Sequence, residues 1–174
     1  MAILQSRTGI TCGFTGNEAA EHGVEGKLME KNTKGKRLLD VSAAEFLRSR
    51  NRQDQQAKDM KDEASRRMLL FYAVECGGKY QIMIKEECWL YSMLPPRHQG
   101  YKHDIQKILK VIGIEEKCPF PVLTSTKGET ITPAHYQEMW RYGINCENGK
   151  EAGKVIEKSM IEALARLREL ERRK

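Results

Sequence analysis

Seven lysine and arginine residues between positions 31 and 52 form the first group whose type and spacing suggest a chemistry. Only Asp40 and Glu45 oppose them, so this stretch carries an excess of five positive charges, close to the whole-chain net charge of +6. Basic side chains bind phosphates and release the counterions around a nucleic acid. Arg48 and Arg52 stand four positions apart and share one face of a helix. The sequence therefore predicts phosphate contacts from Lys34, Lys36, Arg37, Arg48, Arg50 and Arg52.

The excess of positive charge ends at Asp54. Residues 53–67, QDQQAKDMKDEASRR, contain as many acidic as basic side chains. This segment is interpreted as a solvated helix with one packed apolar stripe. The chain has no helix-turn-helix pattern and no aromatic RNP-like strand. The sequence therefore predicts binding of DNA or RNA, or of a nucleoprotein, through charge and shape without base-specific motifs.

One group of cysteines and histidines is a candidate metal site, namely Cys76, Cys88, His98 and His103. The four residues between the two histidines fit a zinc site, whereas the eleven between the two cysteines do not, because zinc motifs place their first pair about two to four residues apart. Free cysteine behaves as a small apolar side chain, so buried thiols are the simpler interpretation. We expect no metal and no cofactor.

The sequence lacks the common signatures of catalytic sites. The chain has no G-x-S-x-G, no Walker A, no G-x-G-x-x-G and no H-E-x-x-H, and no cysteine has the flanks of a known thiol enzyme. The sequence therefore predicts a protein that is not an enzyme.

The elements that would position these residues predict an α+β fold. Ser42 and Glu45 have the spacing of a capping box, which starts a helix. A long central helix should follow, with an apolar stripe of Ala57, Met60, Ala64, Met68 and Phe71. Gly77-Gly78 separates two apolar, β-prone segments, 69–76 and 80–84, and favours a hairpin.

Further hairpins are predicted over residues 1–14 and around Lys127-Gly128. Thr132 followed by Pro133 predicts a helix that ends at Gly143. Five aromatic residues are predicted to lie mainly in the core, although an interface role is the alternative: Trp89, Tyr91, Tyr136, Trp140 and Tyr142. The expected architecture is small antiparallel hairpins packed with a long central helix and an amphipathic C-terminal helix.

The C-terminal segment is assigned to residues 151–174, after a single α+β domain over residues 1–150. Its apolar stripe is the candidate interface and consists of Ile156, Met160, Leu164, Leu167 and Leu170. A stripe of this kind needs a partner, because one helix cannot bury it alone. The helix either docks on the body of the chain or pairs with a second copy to form a homodimer.

The composition agrees with an intracellular protein. Apolar residues make up 40% and charged residues 31%, which is enough apolar material for a core. Five cysteines, an odd number, are scattered over positions 12–146, unlike a disulfide framework. There is no signal peptide and no membrane-spanning segment. We expect a cytoplasmic or nucleoid-associated protein with no membrane partner.

One resemblance supports the charge argument. Residues 39–48, LDVSAAEFLR, followed by Met60, Ala64 and Met68, resemble the long RNA-contacting helix of the coronavirus polymerase accessory subunit. The match needs a one-residue shift and the rest of the chain departs from that family, so the family is not assigned. The resemblance implies RNA contacts from this segment.

The sequence favours two functions over a third, a cysteine- or metal-dependent enzyme. The first is a small non-enzymatic accessory protein that binds nucleic acid through a basic loop and the start of a helix. The second is a protein-interaction module, an inhibitor or adaptor of a phage or other mobile element, which dimerises or docks through its C-terminal helix.

Overall fold

A computed structural model describes residues 40–173, and this part of the chain is mostly helical. Its α-helices are α1 (Ala43–Asp59), α2 (Glu63–Lys85), α3 (Pro96–Gln99), α4 (Ile105–Val111), α5 (Tyr136–Tyr142) and α6 (Gly149–Arg172). Short 3-10 turns occur at Tyr91–Met93, Glu115–Lys117 and Pro133–His135. The strands are β1 (Leu123–Thr124) and β2 (Thr130–Ile131). The predicted α+β fold is therefore wrong, because the described residues hold one two-stranded hairpin.

The start of α1 confirms the predicted capping box. Ser42 accepts a hydrogen bond from the Glu45 backbone N–H, and the Glu45 carboxylate accepts from the Ser42 backbone N–H. The predicted single long helix is wrong, because the chain leaves the helical conformation at Met60, where ψ is 121°. Asp62 then starts α2 by accepting from the Ser65 N–H at 2.8 Å. The two helices form an antiparallel helical hairpin.

Gly77-Gly78 lies inside α2 and does not form the predicted turn. A Cβ on Gly77 would lie 2.9 Å from Leu167 Cδ1, and one on Gly78 would clash with Ile108 Cγ2. The two glycines therefore allow α6 and α4 to approach the α2 backbone closely. The flanking segments are apolar because α2 packs against α1, α4, α5 and α6.

The core surrounds this central helix. Its larger part is formed by Phe71, Val74, Ile105, Leu109, Tyr136, Ile156, Met160, Leu164 and Leu167, among others. A smaller cluster around Ile82, Met83, Leu94 and Ile108 lies near the other end of α2. Gly153, near the start of α6, lies beside Arg67 near the start of α2, and Leu167, further along α6, lies beside Gly77 further along α2. The two helices therefore run parallel.

Residues 121–143 follow the predictions more closely. The hairpin turns at Lys127-Gly128, with Leu123 opposite Ile131. Thr132 caps a 3-10 turn that leads into α5, and Gly143 ends α5 in the left-handed conformation, with φ at 63°. Residues 1–14, predicted as a hairpin, lie outside the described residues. Among residues 40–173, no helix has the length and apolar character needed to cross a membrane.

Candidate nucleic-acid interface

The structure separates the six predicted phosphate contacts into three groups. Lys34, Lys36 and Arg37 lie outside the described residues. Arg50 is buried inside the helical bundle, whereas Arg48 and Arg52 are exposed on α1.

Arg50 forms an ion pair within the protein. It is 3% exposed, and its Nη2 donates to Glu171 Oε2 at 2.8 Å. Residues two apart in a helix point about 200° apart, which is why Arg50 faces inward while Arg48 and Arg52 face outward. The R-x-R-x-R spacing of residues 48–52 already indicates that the middle arginine faces away from the other two. The prediction that all three contact phosphates did not take this orientation into account.

Arg48 and Arg52 line a groove of about 380 Å³ along α1, together with Asp40, Val41, Glu45 and Ser49. The two guanidinium groups have no carboxylate within salt-bridge distance among residues 40–173. They are therefore available to an anion in the groove without breaking an ion pair described here.

The two carboxylates of this groove bond to serines. Asp40 accepts from the Ser92 hydroxyl at 2.5 Å and from the Ser92 backbone N–H at 3.1 Å. Glu45 accepts from the Ser42 backbone N–H at 2.8 Å and from its hydroxyl at 2.7 Å. These bonds hold the pKa of both carboxyl groups below their ordinary values, so both are ionised at neutral pH.

The end of α6 adds two more cations. The Arg50–Glu171 pair holds the last turn of α6 against the first half of α1, and Arg168 bonds Asp54 one turn earlier. Arg172 and Arg173 follow Glu171 directly and are exposed. Neither has a carboxylate partner within the described part of the chain, whereas Arg166 is paired with Glu162 and Glu169.

A segment containing Trp89 lies beside the entry to α1. The Ala43 N–H donates to the Trp89 carbonyl at 3.0 Å, and the Tyr91 N–H donates to the Val41 carbonyl at 2.9 Å. The Trp89 side chain is 75% exposed. The prediction that the aromatic residues are mainly core holds for Tyr136, which is fully buried, but is wrong for Trp89 and Tyr142.

The residues predicted as an interface on the C-terminal helix lie inside the protein. Four of them are almost completely buried in the core, namely Ile156, Met160, Leu164 and Leu167, and Leu170 packs against it half-buried. The stripe therefore docks on the body of its own chain.

The four metal candidates have other contacts. Cys88 is buried and donates to the Glu86 and Met93 carbonyls, while His98 contacts Glu86 and Tyr101. His103 bonds the buried Glu75 at 3.0 Å. Burial raises the pKa of the Cys76 thiol, which disfavours the thiolate that a metal needs. Within residues 40–173, no three histidine, cysteine or acidic side chains converge as a metal site requires.

The chain was compared with family models, with curated proteins and with solved structures, and none of them matches it.

Proposed function

We propose that this protein binds nucleic acid by contacting its phosphates with a basic surface, here called the basic end. The basic end consists of Arg48, Arg52, Arg172 and Arg173. The observation that carries the proposal is that Arg48 and Arg52 are exposed on one face of α1 with no ion-pair partner among residues 40–173. The Arg50–Glu171 ion pair holds the end of α6, with the exposed Arg172 and Arg173, against the other side of the same helix. The protein is proposed to act as a binding accessory and not as a catalyst.

The ion pairs of the bundle explain why these four side chains, and not others, are proposed. Arg66 and Arg67 share Glu157, and Arg168 bonds Asp54, so their charges are already neutralised inside the protein. A guanidinium without such a partner can bind a phosphate without first breaking an ion pair within the protein. Its planar group can also donate to two phosphate oxygens at once.

The basic end has the features of backbone recognition. Its cations come from a helix face and a helix end, and it contains no motif that reads bases. Binding of this type depends on counterion release and therefore weakens steeply with salt. Lys34, Lys36 and Arg37 remain phosphate contacts predicted from the sequence alone. The net charge of +6 would also speed the encounter with a polyanion.

The test compares two variants that change the net charge equally. Arg48→Glu/Arg52→Glu reverses two cations of the basic end. Lys117→Glu/Lys127→Glu reverses two exposed lysines outside it. Binding of labelled single-stranded and duplex oligonucleotides is measured by fluorescence anisotropy at about 50 and 200 mM salt.

The wild-type affinity for a single strand should fall by about 50-fold between these salt concentrations if four phosphates are contacted. The arginine variant should lose at least about tenfold at low salt, and the lysine variant much less. Equal losses would show a response to net charge alone and contradict the assigned surface. No wild-type binding at low salt would overturn the function.

The interaction-module interpretation has less support. It requires the apolar stripe of α6 to be available, and the core of the same chain encloses that stripe.

A further inference from the structure

Trp89 is an aromatic side chain that the fold leaves in solvent. It is 75% exposed, and Met93, a few residues later, is 54% exposed. Tryptophan gains much free energy on burial, so a ring held outside the core is available for contact with another molecule.

The backbone that carries this ring is fixed on both sides. Trp89 accepts a hydrogen bond from Ala43, the first residue of α1, and Tyr91 donates one to Val41 just before that helix. The Ser92 N–H and hydroxyl both donate to Asp40. The Tyr91 ring packs on Phe46, with centroids 5.6 Å apart. The exposed ring is therefore presented from an ordered segment, which lowers the entropy lost when it binds.

The position of this segment links the ring to the basic end. The Trp89 carbonyl bonds the first residue of α1, Ala43, and Asp40 belongs to both the Ser92 contact and the arginine groove. At about 1.5 Å of rise per residue, Arg48 and Arg52 follow Ala43 by about 8 and 14 Å along the helix. The exposed ring therefore lies at one end of a groove that carries Arg48 and Arg52, whose charges Asp40 and Glu45 balance but do not pair with, and a ring followed by two unpaired arginines matches a base followed by phosphates.

We propose that Trp89 stacks on an unpaired base of a single-stranded nucleic acid whose phosphates lie along Arg48 and Arg52. This inference rests on the proposed function and narrows its ligand to single strands. A base in a duplex already stacks on its neighbours, whereas an unpaired base of any identity offers its face to an aromatic ring. The ring would therefore add affinity without base specificity.

The first experiment separates stacking from phosphate binding. Trp89→Leu removes the ring, Trp89→Phe keeps a smaller one, and Tyr142→Leu removes another exposed ring, on α5, as the matched control. Trp89→Leu should weaken single-strand binding by about tenfold and leave duplex binding unchanged. Trp89→Phe should retain most of the affinity, and Tyr142→Leu should match the wild type.

The second experiment observes the ring directly. The chain has two tryptophans, so Trp140→Phe leaves Trp89 as the only one. Adding an unlabelled thymidine oligonucleotide should quench its fluorescence, with a midpoint that agrees with the anisotropy affinity. Equal weakening of single-strand and duplex binding by Trp89→Leu, or binding without quenching, would overturn the stacking proposal while the basic end remained supported. No nucleic-acid binding by the wild type would remove both proposals and leave Trp89 as a surface for a protein partner.

Discussion

Arg50 was predicted to contact phosphates, but its orientation in α1 places it in a buried ion pair. Its guanidinium is enclosed with Glu171, and its Nε and Nη1 have no partner among the described residues. Removing one member of a buried ion pair leaves the other charge without compensation, which destabilises proteins strongly.

We therefore expect Glu171→Ala to lower the free energy of unfolding by about 3 kcal/mol, measured by urea denaturation. Glu169→Ala, which removes a neighbouring and more exposed carboxylate, should change it by less than about 1 kcal/mol. A Glu171→Ala protein as stable as the wild type would show that the Arg50 pair does not hold α6 in place.

Gly78 provides a second residue-scale prediction. Alanine normally stabilises a helix interior relative to glycine by about 1 kcal/mol. At this position the new methyl group would meet Ile108 Cγ2, so we expect Gly78→Ala to destabilise the protein by about 1–3 kcal/mol. Ile108→Leu removes that γ-methyl, and adding it to Gly78→Ala should recover part of the loss. A stabilised single variant would contradict the close packing of α4 on α2.

Local chemistry predicted the helix starts but not the role of these glycines. Ser42 with Glu45, and Thr132 with Pro133, act on atoms within three residues, so their patterns can be read from a short segment. Gly77-Gly78 resembles a turn locally, and its contacts with Ile108 and Leu167 come from distant parts of the sequence. The inward direction of Arg50 depends likewise on α6.

At the scale of elements, α2 explains why the fold class was missed. Its apolar residues surround the helix, because other helices pack on several of its sides. A helix buried in this way lacks the single apolar stripe that identifies an amphipathic helix. Its β-prone residues at 69–76 and 80–84 then favoured strands. The amphipathic α6 was predictable as a helix because one of its faces stays in solvent.

The junction of α2 and α6 leads to a prediction about pH. Burial raises the pKa of Glu157, but hydrogen bonds and charges from Arg66 and Arg67 outweigh it, so the pKa lies below its ordinary value of 4.5. A carboxyl group whose pKa is lower in the folded state stabilises the protein above its unfolded pKa, and this contribution is lost as the pH falls through the folded value.

Glu157→Gln should therefore destabilise the protein by about 2 kcal/mol at neutral pH, with a smaller difference from the wild type once the pH is well below 4.5. Urea denaturation at several pH values measures this difference. Asp59→Asn, which changes an exposed carboxylate on α1, is the control and should follow the wild type. A constant difference at all pH values would mean that Glu157 acts through packing and not through its charge.

At the scale of the whole molecule, some arginines form ion pairs that hold the helical bundle together, and others face solvent. Arg50, Arg66, Arg67 and Arg168 pair with carboxylates and fix the helices, while the four arginines of the basic end lack such partners among residues 40–173. The net charge, which the sequence provides, does not predict which arginines form ion pairs and which face solvent. That depends on which face of each helix is buried.

This division predicts how the salt dependence of binding should change. Each phosphate contact on a single strand contributes about −0.7 to the slope of log affinity against log salt. Arg48→Ala/Arg52→Ala should therefore reduce the slope by about 1.4, and adding Arg172→Ala/Arg173→Ala should reduce it by about 1.4 again. Trp89→Leu should lower the affinity at every salt concentration and leave the slope unchanged, because stacking releases no counterions. If the arginine variants bind more weakly but keep the wild-type slope of log affinity against log salt, these side chains stabilise the binding surface and do not contact phosphates.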